Sequence, residues 1–376
     1  MSTDPEPTQG LSQPSPESIV NDLLAWADTG QLRAMPWRAL PGQARDPYAV
    51  WVSEIMLQQT QVATVIPYFQ RWLDRFPTVE ALAAASQDEV LKAWEGLGYY
   101  SRARNLHKAA HIVVERHGGQ LPSKREALSD LPGIGRYTVG AILSIAFGQR
   151  AAVLDGNVKR VLSRLYDIED DSGASATETH LWHLAEALVA EVDPAEAGPL
   201  NEALMDLGAT LCAPRAPQCP VCPVHESCLA YARGTQELRP VKAPRKALPY
   251  FDVTAAVLLR PNHPGQVLIA QRPPTGMLGG LWEFPGGKRH AGETLPECLR
   301  RELQEELGID VEVGRHVISV RHAYTHFRIT LHAFECRLLS GEPQPIGVAD
   351  WRWVNLDELA AFPFPVTDQK IIRALK

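Results

Sequence analysis

The sequence predicts a multidomain protein in which an all-α domain is followed by an α+β domain. Three observations favour this fold class. The chain has 376 residues, which is more than one hydrophobic core usually holds. Up to residue 233 the apolar residues recur mainly at helical spacing. After a basic stretch with three prolines at 234–250, segments of strand-like alternation replace that pattern.

The changes in pattern set the predicted boundaries. Residues 1–16 hold four prolines together with Ser, Thr and Gln, and we predict a disordered tail there. Residues 17–233 form the predicted helical domain, 234–250 a linker and 251–376 the α+β domain. Helical spacing predicts helices at 18–27, 48–57, 103–117 and 181–192. In the second domain we predict strands at 253–259 and 267–270, a helix at 296–307, and a strand pair at 316–324 and 327–338.

Composition limits the possible function classes. The net charge is −7, which argues against a nucleic-acid partner, although an acidic domain can still hold DNA through helix N-termini. The apolar runs are too short to cross a membrane. The N-terminus has no basic stretch followed by an apolar core, so we expect no signal peptide. We therefore expect a cytoplasmic monomer, associated with the nucleoid if the source is bacterial.

Four of the six cysteines lie close together, with the spacing C-x6-C-x2-C-x5-C. They are Cys212, Cys219, Cys222 and Cys228. In a cytosolic chain such a group indicates metal ligation more than disulfides. Four thiolates suit either an iron–sulfur cluster or tetrahedral zinc, and a zinc site usually has two C-x2-C pairs where this chain has one. A disulfide or buried free thiols is the remaining alternative.

Two further features point to a nucleic acid. The turn Leu131-Pro-Gly-Ile-Gly135 lies between helical stretches, and Gly133 and Gly135 would expose backbone N–H groups that can bind a phosphate. Asp155 ends an apolar run twenty residues later and places a carboxylate before the next helix. By themselves, the turn is equally compatible with a helix connector, and Asp155 with a simple N-cap.

Together the turn, the aspartate and the cysteine loop resemble the helix–hairpin–helix DNA glycosylases that carry an iron–sulfur cluster. The runs Pro36-Trp-Arg38, Val52-Ser-Glu-Ile-Met-Leu-Gln-Gln-Thr-Gln61 and Gly96-Leu-Gly-Tyr-Tyr100 are similar to those of the adenine DNA glycosylase (MutY) family. The resemblance covers about residues 18–370. It implies base excision repair, a [4Fe-4S] cluster on the loop 212–228, and removal of adenine opposite 8-oxoguanine or guanine in double-stranded DNA.

The resemblance also implies catalytic roles. Glu54 would protonate the adenine, and its apolar neighbours would raise its pKa by desolvation. Asp155 would stabilise the positive charge that develops on the sugar, with Tyr137 and Asn157 hydrogen-bonding around Asp155 and the substrate. Tyr137 stands where strand-cleaving relatives have a lysine, so no Schiff base can form there, and the resemblance implies a monofunctional enzyme.

The enzyme needs a pocket that binds the flipped adenine and a separate group of residues that recognises the opposite base. By resemblance Trp37, Arg38 and Glu202 form the base pocket, while Gln59 and Tyr100 enter the gap in the base stack. Core packing is the alternative for Trp37 and Tyr100. The segment Tyr324-Thr325-His326 corresponds to the family's 8-oxoguanine-reading loop, which more commonly has Phe and Ser in its first two positions.

The second domain contains a complete Nudix box. Its pattern is Gly287-x5-Glu293-x7-Arg301-Glu-Leu-x-Glu-Glu-x-Gly308-Ile. Glu302, Glu305 and Glu306 have i, i+3 and i+4 spacing, which would place three carboxylates on one helix face and could bind Mg²⁺. A solvated charged face is the alternative.

Two competing functions remain open from the sequence alone. One is a nucleotide pyrophosphatase joined to a DNA-binding helical domain. The other is a lesion-binding protein without catalysis. The presence of both Glu54 and Asp155 favours a glycosylase over either of them.

Overall fold

The computed structural model describes residues 13–38, 45–244 and 247–375. These residues form two compact units, one made of 13–73 and 112–244, the other of 74–111 and 247–375. The second unit thus includes a helical segment, 74–111, that the sequence pattern assigns to the helical domain. Helical periodicity cannot tell which neighbours a helix packs against, and the domain boundaries themselves stay a prediction. Most of the predicted tail at 1–16 lies outside the described residues.

Up to residue 244 the described chain is helical, as predicted. The short helix at Arg136–Ala141 continues as a π-helical turn at Ile142–Ala146, and 3-10 turns occur at Pro194–Glu196 and Cys219–Val221. The helices are α1 (Pro16–Asp28), α2 (Pro47–Leu57), α3 (Val62–Arg75), α4 (Val79–Ala84), α5 (Gln87–Ala93), α6 (Ser101–His117), α7 (Arg125–Ser129), α8 (Arg136–Ala141), α9 (Gly156–Leu165), α10 (Ser175–Ala190), α11 (Ala197–Thr210) and α12 (Leu229–Ala232).

The core of the first unit is built from α1, α9, α10 and α11. Leu23, Leu162, Leu188 and Leu204 are among its buried side chains. Burial of such leucines stabilises the unit by about 1.5–3 kcal/mol for each side chain. The starts of α8 and α9 carry three of the four predicted catalytic residues, Tyr137, Asp155 and Asn157, and they line one cavity together with the middle of α11.

The second unit is centred on a six-stranded mixed sheet. Its strands are β1 (Tyr250–Leu259), β2 (Gln266–Gln271), β3 (Trp282–Glu283), β4 (Asp310–Ala323), β5 (Arg328–Ser340) and β6 (Asp350–Asn355). The order is β3-β2-β1-β5-β4, with β6 paired to β2. Strands β1 and β5 are parallel, and the other pairs are antiparallel. The predicted α+β fold class is confirmed, and β4 with β5 is the predicted strand pair.

Helices cover both faces of this sheet. Leu299, Leu303 and Leu307 of α13 (Leu295–Leu307) pack on one face, and Ile371 of α14 (Val366–Ala374) packs on the other. Helix α13 begins with a capping box formed by Thr294 and Glu297 and ends at Gly308, whose φ of 68° suits glycine. Strand β6 and helix α14 were not among the predicted elements.

The helical segment 74–111 is joined to the sheet of its unit by polar contacts. Lys92 Nζ donates to the carbonyl oxygen of Phe362 at 3.1 Å, and the backbone N–H of Phe364 donates to Glu95 Oε1 at 2.9 Å. Arg104 Nη1 donates to the carbonyl oxygen of Gly279 at 2.8 Å. In the part of the chain that the structure describes, no helix is long and apolar enough to span a membrane.

Candidate active site and nucleic-acid interface

A large cavity lies within the first unit, where α2, α8, α9 and α11 come together. Its volume is about 1020 Å³. Ligand pockets for small molecules span roughly 300–1,000 Å³, so this cavity has room for a nucleotide. Its walls include all seven predicted catalytic and base-pocket residues and two of the predicted DNA-binding residues: Glu54, Tyr137, Asp155, Asn157, Trp37, Arg38 and Glu202, with Gln59 and Gly135.

Glu54 lies in the middle of α2, a helix that is buried on nearly all sides. Its side chain is surrounded by protein, with the residue only 4% exposed. Burial raises the pKa of Glu54 to about 7, and the nearby charges of Asp155 and Glu202 act in the same direction. A large fraction of this carboxyl group is therefore protonated near neutral pH, as general-acid catalysis requires.

Tyr137 makes the closest contact of Glu54. It lies in the first turn of α8, two residues after Gly135, and its hydroxyl donates to Glu54 Oε2 at 2.7 Å. Burial and the neighbouring carboxylates raise the pKa of Tyr137 well above its usual range, so the phenol stays neutral. The structure places this hydroxyl on Glu54, with Met205 Sδ 3.3 Å away, instead of on Asp155, and the predicted contact of Tyr137 with the substrate stays a prediction.

Asp155 is the N-cap of α9, and it is also a wall of the cavity. Its Oδ1 accepts from the backbone N–H groups of Asn157 at 2.9 Å and Val158 at 2.7 Å. Its Oδ2 accepts from Asn157 Nδ2 at 3.0 Å, as predicted for that asparagine. Burial raises the pKa of Asp155, and these three hydrogen bonds oppose that shift. The cap and the catalytic interpretation are therefore both compatible with the geometry.

Arg160 holds Asn157 in place, which sequence reasoning did not anticipate. Its Nη2 donates to Asn157 Oδ1 at 2.9 Å and to the carbonyl oxygen of Gly208 at 2.6 Å. Gly208 of α11 also packs against Asn157 so closely that a Cβ there would lie 2.7 Å from Asn157 Cβ. A side chain at 208 would push Asn157 and the adjacent Asp155 out of position.

The predicted base-pocket residues meet on one wall of the cavity. Trp37 is nearly buried, and its ring makes an edge-to-face contact with Phe69 at 5.3 Å between centroids. Arg38 Nε donates to Glu202 Oε1 at 3.1 Å, and Arg45 binds both oxygens of Glu202. Trp37 thus serves both the core and the cavity wall.

A buried aspartate behind this wall was missed from the sequence. Asp206 follows Glu202 by one helical turn on α11, and it is fully buried. It accepts hydrogen bonds from Arg33 and Arg38. Burial alone would raise the pKa of Asp206, but the hydrogen bonds from Arg38 and Arg33 outweigh it and lower the pKa. No local sequence signal pairs residues that are 173 positions apart.

The glycine turn has the backbone that its sequence predicts. Gly133 has a φ of 82°, which disfavours any other residue, and Gly135 caps the start of α8. Gln59, just beyond α2, is exposed, lines the cavity and has a φ of 58°. These placements agree with roles at a DNA backbone and a base stack, which stay predictions.

Tyr100 does not fit its predicted role beside the base stack. It is 5% exposed, its hydroxyl accepts from the backbone N–H of Gly96 at 3.2 Å, and it contacts the carbonyl oxygen of Phe364. The alternative of core packing is therefore correct for Tyr100. The exposed aromatic residue of this run is Tyr99, which is 45% exposed with a φ of 49°. Sequence spacing cannot tell two adjacent tyrosines apart.

The predicted reading loop connects β4 to β5 in the second unit. Thr325 and His326 are exposed, and Thr325 Oγ1 lies 2.6 Å from the hydroxyl of Tyr99 in the same unit. Tyr324 faces inward against His322 and Phe327, with ring centroids 4.5 and 4.9 Å away, and burial raises its pKa to about 12. Thr325 and His326 are therefore the exposed residues of this loop, and Tyr324 is partly buried.

The four clustered cysteines line one small, mainly apolar cavity beside α9 and α12. All four are free thiols, and Arg164 Nη1 donates to Cys212 Sγ at 3.2 Å. Burial raises the pKa of Cys222 to about 12 and that of Cys228 to about 11. Among the described residues no group of three or more His, Cys, Asp or Glu side chains is placed to hold a metal ion.

The Nudix box occupies the turn before α13 and the helix itself. A Cβ at Gly287 would meet the carboxyl group of Glu302, so that side chain would have to shift. Arg301 Nη1 donates to Glu302 at 2.9 Å and to Glu305 at 3.1 Å. Burial raises the pKa of Glu306 to about 8. The three carboxylates are not arranged around a common point in the described chain, and the Mg²⁺ site stays a prediction.

Comparison with known proteins agrees with both halves of the fold. Residues 52–187 match the HhH-GPD superfamily of base excision DNA repair proteins, and residues 255–374 match the NUDIX domain. A solved structure of a thermostable thymine-DNA glycosylase is 31% identical with a TM-score of 0.51, covering 58% of this chain and 97% of that one. Fold and cavity thus define a helix–hairpin–helix DNA glycosylase with an attached Nudix domain.

Sequence relatives narrow this class. An adenine DNA glycosylase of Homo sapiens is 39% identical over 400 residues, covering 93% of this chain and 72% of the relative. An adenine DNA glycosylase of Buchnera aphidicola subsp. Schizaphis graminum is 38% identical, covering 82% of this chain and 84% of the relative. The chain belongs to the adenine DNA glycosylase family, and the family membership predicted from its motifs is confirmed.

Proposed function

We propose that this chain is a monofunctional glycosylase that removes adenine mispaired with 8-oxoguanine or guanine from double-stranded DNA. The observation that carries the proposal is that Glu54 and Asp155 line the same cavity. Glu54 is placed to donate a proton, and Asp155 is placed to act as a negative charge. Glu54 is buried against a phenol and retains a proton near neutral pH. Asp155 accepts three N–H donors that stabilise its charged form.

The reaction begins with the adenine flipped into the cavity, because the bond to be broken is inaccessible in the duplex. Glu54 transfers its proton to a ring nitrogen of the base, N7 by family resemblance. The glycosidic bond then breaks, its electron pair leaves with the base, and positive charge develops at the sugar. Adenine departs as a neutral molecule.

Asp155 stabilises the sugar cation, and Asn157 keeps its carboxylate aimed through the 3.0 Å hydrogen bond. Water adds its hydroxyl to the sugar carbon, and its proton returns to Glu54. The product is an abasic site. Arg38, Glu202 and Trp37 form the wall that holds the base during these steps.

Among the residues that the structure describes, the walls of this site offer no lysine for strand cleavage. Tyr137 occupies the position at which related lyases have a lysine, and no lysine is among the described residues that line the cavity. Lys159, on the first turns of α9, is paired with Glu178 at 2.7 Å. A stable Schiff base with the sugar is therefore not expected.

Recognition of the partner base is assigned to the second unit. Thr325 and His326 are exposed in the β4–β5 loop, and both carry hydrogen-bonding groups. Tyr99 contacts Thr325 and is the exposed aromatic side chain that can stack in the duplex in place of Tyr100. The glycines at 133 and 135 would bind the DNA backbone, and the protein would act as a monomer.

The four cysteines fit an iron–sulfur cluster better than zinc, because their spacing contains one C-x2-C pair where a zinc site usually has two. Their side chains line one mainly apolar cavity. The N–H donors of Arg164 and of the backbone near Cys222 and Cys228 suit cluster-bound sulfur. Cys212, Cys219, Cys222 and Cys228 would hold a [4Fe-4S] cluster, which supplies cross-links that order the loop 212–228.

The proposed function is tested by incubating the protein with duplex oligonucleotides that have adenine opposite 8-oxoguanine, guanine or thymine. The expected result is alkali-labile breakage at the adenine of the first two duplexes, and no breakage without alkali. Strong covalent trapping by borohydride would contradict the monofunctional assignment. Equal activity on the normal A:T duplex would contradict the mispair preference.

A further inference from the structure

Behind the base-pocket wall lies a cluster of three arginines and two acids, defined by Arg33, Arg38, Arg45, Glu202 and Asp206. Asp206 is at its centre and has no exposed surface. Arg38 Nη1 donates to Asp206 Oδ2 at 2.7 Å, and Arg38 Nη2 donates to Oδ1 at 3.1 Å. This is a bidentate pairing, which fixes the plane of a guanidinium as well as its position.

Arg33 completes the enclosure of Asp206. Its backbone N–H donates to Oδ2 at 2.8 Å, and its Nε donates to Oδ1 at 3.0 Å. Its carbonyl oxygen accepts from Arg38 Nη1 at 2.9 Å. Arg33 therefore contacts both members of the Asp206–Arg38 pair and ties the segment 33–38 to α11.

The same contacts leave Arg38 little freedom. A guanidinium has five N–H donors. Four are used within the described chain, by Glu202, by the Arg33 carbonyl and by the two oxygens of Asp206. One N–H of Nη2 stays available on a side chain that lines the cavity. Glu202 Oε2, which Arg45 holds at 2.9 Å, retains capacity to accept a further hydrogen bond.

We propose that Asp206 is a positioning residue that, together with Arg33, locks Arg38 and so sets the discrimination between purines at the base pocket. This inference rests on the proposed function, since it takes the cavity as the site of the flipped base. The remaining N–H of Arg38 is a fixed donor, and Glu202 Oε2, held by Arg45, is an acceptor. This pair matches adenine, which offers an amino donor at C6 and an unprotonated nitrogen at N1. Hypoxanthine has a carbonyl at C6 and an N–H at N1, which is the reverse pattern.

Charge gives Asp206 a role that a neutral residue cannot replace. Three guanidinium groups and two carboxylates meet here, so each carboxylate balances arginine charge in a buried setting. Without the charge of Asp206, Arg38 would retain one acidic partner, Glu202, and would turn toward it. The donor and acceptor that face the base would then bind each other instead of the ligand.

The test compares excision of adenine and of hypoxanthine opposite 8-oxoguanine by the full chain and by Asp206→Asn. We expect the variant to lose about tenfold or more of its single-turnover rate on adenine, as for a lost charged hydrogen bond, with little change on hypoxanthine. The ratio of the two rates should therefore fall by about tenfold. Asp206→Glu, which keeps the charge, should recover part of the ratio.

Asp167→Asn is the matched control, because Asp167 is also a buried aspartate between two arginines, Arg233 and Arg239, away from the cavity. A general loss of stability would lower both rates in both variants and leave the ratio intact. An unchanged ratio in folded Asp206→Asn would overturn the proposal. If that variant does not fold, the ratio is measured in Arg33→Lys instead, because this change keeps the positive charge but loses the contact of the planar guanidinium with Asp206. A lower ratio supports the proposal and an unchanged one refutes it.

The experiment distinguishes a failure of the proposed function from a failure of the role of Asp206. Absence of adenine removal by the native chain would contradict the proposed function. Normal removal by the native chain, with the same ratio in every variant, would contradict only the role of Asp206.

Discussion

The hydroxyl of Tyr137 lies 2.7 Å from Oε2 of Glu54 and donates a hydrogen bond to it. This contact joins the first turn of α8 to the centre of α2, across 83 residues of sequence. Two effects therefore oppose each other at Glu54. Burial raises its pKa, and the phenol lowers it by stabilising the charged form, with burial the larger effect.

Both cavity carboxylates should be indispensable for base removal. Glu54→Gln removes the proton donor, and Asp155→Asn removes the charge that faces the sugar. General acid–base catalysis is typically worth about 10²–10⁴-fold, and we expect losses of at least that size in single-turnover rate with retained binding to the mispair. Glu115→Gln, an exposed change on α6, is the control and should have native rates. A near-normal rate in Glu54→Gln would rule out its assignment as the acid.

The rate of base removal should fall as pH rises through about 7, because Glu54 acts in its protonated form and its pKa lies near that value. Tyr137→Phe removes a hydrogen bond that favours the ionised carboxylate, so the pKa of Glu54 should rise. The alkaline limb of the pH–rate profile should then move to higher pH, even if the maximum rate is lower. A shift to lower pH, or no shift, would show that this limb does not report Glu54.

Tyr99, and not Tyr100, should affect recognition of the mispair. Tyr99→Ala removes an exposed ring and the contact with Thr325, and Thr325→Ala with His326→Ala removes the hydrogen-bonding groups of the loop. Loss of recognition at one base pair typically costs about 1–3 kcal/mol. We expect a smaller rate difference between adenine opposite 8-oxoguanine and adenine opposite guanine in both variants.

The control for this comparison is Tyr100→Phe. It loses one buried hydroxyl, so its unfolding midpoint should decrease while its preference between the two mispairs stays native. A changed preference in Tyr100→Phe with an unchanged one in Tyr99→Ala would restore the assignment made from the sequence.

The iron content of the protein should depend on the four cysteines of the loop 212–228 and on no other cysteine. Cys219→Ser should lose most of the iron and the visible absorption of anaerobically purified protein, because one of four proposed ligands is gone. Cys298→Ala, a buried free thiol of the second unit, should keep both. Stoichiometric zinc in place of iron in the native chain would contradict the cluster.

Binding of Mg²⁺ or Mn²⁺ at the Nudix box should strengthen as pH rises toward about 8. Glu306 is protonated below its raised pKa of about 8, so a cation must displace that proton. The measurement is an Mn²⁺ titration of the full chain at several pH values, compared with the double variant Glu305→Gln, Glu306→Gln. Glu312→Gln, which changes an exposed side chain on β4, is the control. Absence of saturable binding at every pH would show that the box is not a cation site in this chain.

The local arrangement of several candidate groups could be predicted from the sequence, because it depends on short-range order, whereas their catalytic roles came from the family resemblance and stay predictions. A glycine turn, an aspartate before a helix and four cysteines at fixed spacing each place their groups within a few residues. Glu54 could be predicted to be buried because its helical neighbours are apolar on nearly all sides. The strand pair β4–β5 and helix α13 followed from local periodicity in the same way.

The tertiary structure alone decided which distant groups meet. Asp206 pairs with Arg33 and Arg38, which precede it by 173 and 168 residues, and Tyr137 donates to Glu54 instead of Asp155. It also separated exposed Tyr99 from buried Tyr100 and placed the segment 74–111 with the sheet. The physical reason is that residue spacing determines which side of an element a group occupies, whereas packing between elements determines what that side faces.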